Sequence, residues 1–413
     1  MSTTAERENR VLSRITLVTS FGDFLSFFAV LQWLHQTGAS AIVGGFSVVL
    51  KSLAVGAGGI LLPLALRKYS TRTVMIASQF VSFITASGLL AMILLGRNDV
   101  WPIFTLFFIQ SLLKQLFDGA RESHSQALAS HDEQMTLQAQ LLSSFFGAQF
   151  IGPIVSFLLI RFLRIEIPVA LDALSFLVAG VMAMAVEKRR VQMEAIHVLR
   201  PLKYIWSRPL LRDIFLLRSV GFWFSIGLFN YLLFSVVSEH YGLTLVYSAW
   251  VYSLMGLGAA ISATWLRSPD GFKKTRFAGL NEGVMAMVAQ IAFAVTILAF
   301  IRLPSFGVAL AVLVGTGLVM GLNAVATQTI RRKLCAADEF PEVVGLELVV
   351  GRLSDGVVSS IAWITMSSGI FGYQGWMIVA AVGLLLSGFL HSRFVQKSAW
   401  DTVEAPVASI YPS

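Results

Sequence analysis

The stretch AIVGGFSVVLKSLAVGAGGILLPLAL, residues 41–66, decides the class of this protein, because Lys51 is its only charged residue. About 20 apolar residues in a helix cross the roughly 30 Å hydrocarbon core of a bilayer. Similar stretches recur along all 413 residues and predict an all-α integral membrane protein with twelve transmembrane helices. They lie near residues 13–36, 41–66, 73–96, 101–121, 138–161, 167–186, 213–237, 244–266, 277–300, 304–330, 342–367 and 372–392.

The composition agrees with a membrane protein and excludes several other classes. Apolar residues make up 56% of the chain and charged residues 13%, and the mean hydropathy is +0.75. These values are too apolar for a soluble protein of this length. A single cysteine and six scattered histidines exclude a disulfide framework and a zinc cluster. Because catalytic and phosphate-binding motifs are also missing, we expect no enzyme activity, no metal and no cofactor.

The basic residues predict the orientation in the membrane. The net charge of +8 comes mostly from Lys and Arg in alternate loops, whereas the opposite loops hold only four Arg. This bias places both termini in the cytoplasm. It also accounts for the positive charge through the lipid bilayer, without nucleic acid as a partner.

The chain divides near its middle. We predict a first six-helix bundle at 1–186, a linker at 187–212, a second bundle at 213–394 and a cytoplasmic tail at 395–413. Apolar residues at helical spacing within the linker predict an amphipathic helix on the membrane surface; they are Leu202, Ile205, Trp206, Leu210 and Leu211. The similar segments HDE at 131–133 and ADE at 337–339 suggest two related halves, as in many secondary transporters.

The fifth predicted span contains Gly147, Gly152 and Pro153 in the run GAQFIGPIVS. With the layout of six spans plus six, it resembles the antiporter motif of the major facilitator superfamily, and this resemblance covers nearly the whole chain. It implies an exporter built of two six-helix bundles, in which Pro153 creates a kink where the halves pivot. Close packing of a kinked helix is the simpler reading of the three residues.

Three further segments resemble one bacterial efflux group, which includes macrolide exporters and the enterobactin exporter. They are Ala120-Arg121 followed by Ser125-Gln126-Ala127-Leu128, the run LDALSF at 171–176, and PLKYIWSRPLLR at 201–212. The resemblance implies a monomer in the bacterial cytoplasmic (inner) membrane.

One departure concerns the loop between spans two and three, where the family carries a gating Asp beside an Arg. Leu66 or Arg67 stands at that acidic position, and Asp270 in the matching loop of the second half is the remaining gating candidate.

Charged residues near the middle of predicted spans are the candidate functional residues. Each costs about 2.5–3.5 kcal/mol at the bilayer centre unless it meets a partner or a water-filled cavity. Asp23 has no basic neighbour on its own helix and is the leading candidate for proton coupling, followed by Glu347 and Asp355. The residues predicted to bind substrate are Lys51, Lys114, Asp118, Arg121 and Arg352.

Two alternatives remain for these charges. Local pairs, Lys114 with Asp118 and Arg352 with Asp355, would stabilise single helices without touching a substrate. A hydrogen bond to neighbouring Ser residues would give Asp23 a packing role.

The predicted function is proton-coupled antiport that exports a small amphiphilic organic solute, such as a siderophore or a drug-like molecule. The mixed or cationic cavity favours an anionic or zwitterionic solute. A lysophospholipid flippase and a non-transporting membrane receptor are the alternatives, and a metal exporter is disfavoured because Asp/His pairs are lacking within the spans.

Overall fold

The computed structural model describes residues 3–36, 41–97, 99–128, 134–190, 200–243, 247–268, 282–335 and 339–390, which form helices and short connections. The first half contains α1 (Thr3–Gln36), α2 (Ala41–Lys68), α3 (Thr71–Leu94), α4 (Val100–Leu128), α5 (Gln134–Phe162) and α6 (Glu166–Ala183). A short α7 (Arg200–Trp206) precedes α8, which covers residues 209–240. The remaining helices are α9 (Ser248–Arg267), α10 (Glu282–Phe300), α11 (Phe306–Leu334), α12 (Phe340–Ser367) and α13 (Tyr373–Leu390).

The prediction of an all-α membrane protein is confirmed. Eleven described helices are long and apolar enough to cross a membrane, and α4 is the predicted span that falls short. Its hydropathy is lowered by four charged residues in nine positions, Lys114, Asp118, Arg121 and Glu122. Since α4 packs against α2 and α3 within the bundle, we assign it as the twelfth span.

Two helix boundaries differ from the prediction because hydropathy marks only the apolar part of a helix. α1 begins at Thr3 rather than at residue 13, since polar residues extend it beyond the apolar run. The linker helix ends at Trp206, and α8 begins directly afterwards with Pro209 in its first turn. Leu210 and Leu211 therefore belong to the seventh span and not to a surface helix.

Helix packing follows the same pattern in both halves. α1 packs against α5 and α6, α3 against α4 and α6, and α2 against α4. In the second half, α8 packs against α12 and α13, α10 against α11 and α13, and α9 against α11. The halves meet where α2 packs on α12 and α5 packs on α9. The bundle and linker boundaries stay a prediction, and the tail at 395–413 lies outside the described residues.

Small residues allow the helices of the two halves to approach closely. A Cβ atom on Gly59 of α2 would lie only 2.6 Å from the Gly345 carbonyl oxygen of α12. The two backbones are therefore in direct contact, as is usual where small residues face each other in membrane helices. This contact lies near the end of the bundle where α2 ends at Lys68 and α11 ends in Arg331, Arg332 and Lys333, which we call the basic end.

Candidate functional site

The charged residues of α1 and α4 form one linked group. Lys114 pairs with Asp23 across the helix interface, and its Nζ lies 3.8 Å from Asp118 Oδ2. Arg121 Nη1 contacts Asp118 Oδ1 at 3.0 Å and donates to Thr16 Oγ1 at 3.0 Å. Asp23 has no basic neighbour on its own helix, as the sequence indicated, but it is paired, because its cation comes from another helix. The predicted local pair is also secondary, since Lys114 lies closer to Asp23 than to Asp118.

Asp355 marks the corresponding position in the second half. Arg352 Nη1 donates to Asp355 Oδ2 at 3.2 Å, which confirms the local pair. Ser52 Oγ from α2 donates to the same oxygen at 3.4 Å, so this carboxylate also links the two halves. Gly227 of α8 lies against it, and any larger side chain would displace the carboxylate. Asp355 thus lies where α2, α8 and α12 meet.

Lys51 lies between these two groups. Its Nζ is 5.0 Å from the centroid of the Phe27 ring, an arrangement that favours a cation. It interacts electrostatically with Asp23 and Lys114 on one side and with Arg352 and Asp355 on the other. Its side chain is exposed, and no carboxylate in the described part of the chain lies within ion-pair distance of it.

These residues form the central charge cluster, which contains four cations and three carboxylates from both halves. Four of its side chains, those of Asp23, Lys114, Asp118 and Arg352, are between 17% and 27% exposed although they lie in the middle of long helices. Charged side chains at this depth are stabilised by one another or by a polar space between the helices. The candidate substrate residues are thus brought together, and Arg121 is the most buried of them.

Glu347 does not belong to the central charge cluster. It is buried closer to the basic end, where it pairs with Arg218 of α8 and accepts a 2.8 Å hydrogen bond from Arg331 Nη1 of α11. Arg331 Nη2 also donates to Glu122 Oε2 of α4 at 2.7 Å. We call Glu122, Arg218, Arg331 and Glu347 the gate network, because its Glu122–Arg331 bond joins the two halves.

Sequence reasoning missed three members of the gate network. Arg331 directly follows the span predicted at 304–330 and so counted among the basic loop residues, but it lies within α11 and its side chain is only 5% exposed. Arg218 lies in a π-helical turn, Leu217–Phe222, that interrupts α8. Such turns are rare and often occur at functional positions. Hydropathy does not reveal this turn.

Further contacts close the basic end. Arg332 Nη1 of α11 donates to Ser125 Oγ of α4 at 3.3 Å, and Gln126 Nε2 donates to the Arg332 carbonyl at 3.2 Å. A single apolar core at this end includes residues of both halves, such as Leu62 and Phe340. At the opposite end, the two halves have separate apolar cores. The central charge cluster is therefore closed off from the basic end.

The remaining predicted residues lie on α5 or outside the described residues. Gly152 of α5 packs against α1, since a Cβ there would lie 2.7 Å from Phe24 Cβ. A Cβ on Gly147 would lie 3.9 Å from Leu17 Cδ1 of α1, and Pro153 lies inside α5. Their role as a pivot stays a prediction, and Asp270 lies outside the described residues. Within the described ranges, no group of three or more His, Cys, Asp or Glu is placed to hold a metal ion.

Comparison with known proteins gives one family and a set of shared folds. The sequence model described as Major Facilitator Superfamily matches residues 12–354. No curated protein matches the chain in sequence.

Three solved structures illustrate the shared fold. The human organic anion transporter MFSD10 is 14% identical with a TM-score of 0.70, over 93% of this chain and 99% of that one. A bacterial homologue of the iron transporter ferroportin, in an outward-facing state, is 15% identical with a TM-score of 0.69, over 94% and 98%. The fucose:proton symporter FucP of E. coli is 12% identical with a TM-score of 0.65, over 95% and 100%.

Proposed function

The chain belongs to the major facilitator superfamily and is a secondary transporter of a small solute, and from this premise we propose that it exports an amphiphilic organic anion or zwitterion in exchange for protons. Export, and membership of the macrolide and enterobactin exporter group, rest on the resemblances at Ala120-Arg121, at 171–176 and at 201–212. The basic loops support an orientation with both termini in the cytoplasm, and the same resemblances support a location in the bacterial inner membrane.

The observation that carries the solute class is Lys51 in the central charge cluster. It is an exposed cation without a carboxylate partner in the described residues, and its cluster has one more cation than carboxylates. Opposite charges attract strongly where little water is present, so Lys51 favours an anionic group on the solute. An exporter of lipophilic cations would instead need an uncompensated carboxylate at this position.

Aromatic residues next to Lys51 supply an apolar wall. Tyr252 of α9 lies edge-on to Phe28 and Phe27 of α1, with ring centroids 5.6 and 6.4 Å apart. Edge-to-face pairs of this kind are favourable and leave ring faces available for another aromatic group. We assign the anionic group of the solute to Lys51 and its aromatic or apolar part to these rings.

Lys114 provides the means of proton coupling. It lies between Asp23 of α1 and Asp118 of α4, and it is paired with the former. A proton on Asp23 removes the charge that holds Lys114, which then moves the short distance to Asp118. Proton binding at Asp23 thereby loosens α1 from α4, and Asp355 is the second proton-coupling candidate in the other half.

The gate network replaces the ion pair that the loop between α2 and α3 lacks. Leu66 is buried in the core at the basic end, so no acid there contributes to gating. We reassign Glu347 from proton coupling to gating, because two guanidinium groups compensate its charge. Opening of the basic end must break the bond between Glu122 and Arg331. Pro153 and Asp270 are further candidates for conformational roles.

Transport by the purified chain in liposomes tests this function, with a catecholate siderophore, a lysophospholipid and a cationic dye as probes. We expect the siderophore to accumulate only with a pH gradient, and Lys51→Ala to raise its apparent KM about tenfold, which corresponds to about 1.4 kcal/mol. Lys68→Ala is the matched control, since it removes a cation from the same helix outside the cluster. Preference for the lysophospholipid, or transport indifferent to the gradient, contradicts the proposal.

A further inference from the structure

A carboxyl group outside the central charge cluster is completely buried. Asp172 lies in the second turn of α6, counted from the end opposite the basic end, and its side chain has no exposed surface. A Cβ atom on Gly22 of α1 would lie 2.6 Å from Asp172 Oδ1. The carboxyl group is therefore pressed against the backbone of α1 at the residue directly before Asp23.

The partners of Asp172 are neutral. Gln110 Nε2 of α4 donates to Asp172 Oδ2 at 3.0 Å, and Ser26 of α1 lies within hydrogen-bonding reach. The other oxygen, Oδ1, is buried and accepts no hydrogen bond in the described structure. No Lys or Arg among the described residues lies within ion-pair distance. An ionised carboxylate is not stable in such surroundings, whereas a protonated acid is.

Two ionisable groups face Asp172 from the helices around it. Asp23 of α1 and Lys114 of α4 both interact with it electrostatically. The other ionisable residues of α3, α5 and α6, all at helix ends, are Arg72, Arg161 and Glu166. Asp172 is thus coupled to the pair that holds α1 to α4.

We propose that Asp172 is a further proton-binding residue of the transport cycle, which holds its proton while the basic end is closed and releases it when α1 moves against α6. This inference rests on the proposed proton-coupled export. In the release step, the O–H bond of Asp172 breaks and the proton passes to water that enters as the basic end opens. Lys114 compensates the carboxylate left behind, and a proton from the opposite side restores the acid when the basic end closes.

The substitution Asp172→Asn separates a transported proton from a structural acid. The amide keeps the size and hydrogen-bonding capacity of the protonated acid but does not release a proton. In proteoliposomes, we expect Asp172→Asn to retain siderophore exchange without a gradient within about twofold, while accumulation driven by a pH gradient falls at least tenfold. Glu166→Gln, on the same helix, is the matched control and should retain both activities.

The outcomes of this experiment are distinct. If Asp172→Asn accumulates siderophore like the wild type, Asp172 is a structural acid and the inference is wrong. If the wild type itself ignores the gradient, proton-coupled export fails and this inference fails with it. Gln110→Glu covers the case in which Asp172→Asn does not fold. It places a second carboxyl group against Asp172 and should shift the pH midpoint of exchange upward, whereas an unchanged midpoint overturns the inference.

Discussion

The substitution Glu122→Gln should open the basic end more often. Glu122 is the only member of the gate network in the first half, so its bond to Arg331 at 2.7 Å exists only while the halves are together at this end. Bonds from Glu347 to Arg218 and Arg331 lie within the second half and persist in either state. The substitution therefore weakens the closed state without removing the contacts that hold α11 and α12 together.

The size of the effect follows from the burial of the pair. The Arg331 side chain is 5% exposed and that of Glu122 is 19% exposed, so the pair is neither on the surface nor completely shielded from water. A hydrogen bond between charged groups contributes about 1.5–3 kcal/mol, and a surface ion pair about 0–1 kcal/mol. We expect a loss of about 1–3 kcal/mol, which raises the population of the open state about 5–150-fold.

The single cysteine of the chain reports on this opening. Cys335 follows α11 directly and is buried in the apolar core at the basic end, so a maleimide reaches it only after that core separates. The alkylation rate of Cys335 should rise with the open population in Glu122→Gln. Glu282→Gln is the matched control, because it breaks a 2.6 Å pair with Lys333 that lies within the second half.

Two results would refute this reasoning. An alkylation rate equal to that of the wild type means that the Glu122–Arg331 bond does not hold the halves together. Equal acceleration by Glu122→Gln and Glu282→Gln means that α11 loosens locally and that the halves have not parted. A melting temperature measured on each variant separates either result from general destabilisation.

Three other substitutions test the interface and the site. Gly345→Ala puts a methyl group against the Gly59 backbone and should raise the Cys335 alkylation rate and reduce transport severalfold. The control Gly56→Ala has open space around the new methyl group and should behave as the wild type. Equal alkylation rates for the two variants would contradict the packing argument. Lys114→Met leaves Asp23 without its cation and should weaken the binding of anionic solutes and abolish the gradient dependence of flux, as measured in proteoliposomes. Tyr252→Leu removes the aromatic edge against Phe28 and should lower the affinity for aromatic but not for aliphatic anions in binding titrations. An equal loss of affinity for both kinds of anion would be evidence against the aromatic wall.

Hydropathy was sufficient to predict the spans because each helix must present apolar residues to lipid over a fixed length. It also located the midplane charges, since these stand out in apolar surroundings. It did not give their partners. Lys114 and Asp23 lie 91 residues apart, and Glu122 and Arg331 lie 209 residues apart. Which faces of two helices meet depends on rotation and tilt, and no pattern within either helix determines them.

Positively charged residues at helix ends were the main source of error. Arg331 and Arg332 lie beside Lys333 at the end of α11, and all three fit the rule that basic residues flank spans. Arg331 and Arg332 are nevertheless buried, because α4 of the other half covers them at the basic end. A topology anchor and a gate residue look the same in sequence, since the difference lies in the packing of a helix from the other half.

In the proposed binding mode, the placement of Lys51 links solute binding to the movement of the two halves. Its neighbour Ser52 donates to Asp355 of α12, and the same two helices meet at Gly59 and Gly345 near the basic end. When the basic end opens, α2 and α12 must separate at the glycine contact, and the Ser52–Asp355 bond changes with them. A solute held by Lys51 therefore lies against the moving interface, and its contacts differ between the two states. Only such a difference in binding energy allows a solute to drive a conformational change, and the proposed binding at the central charge cluster meets this requirement.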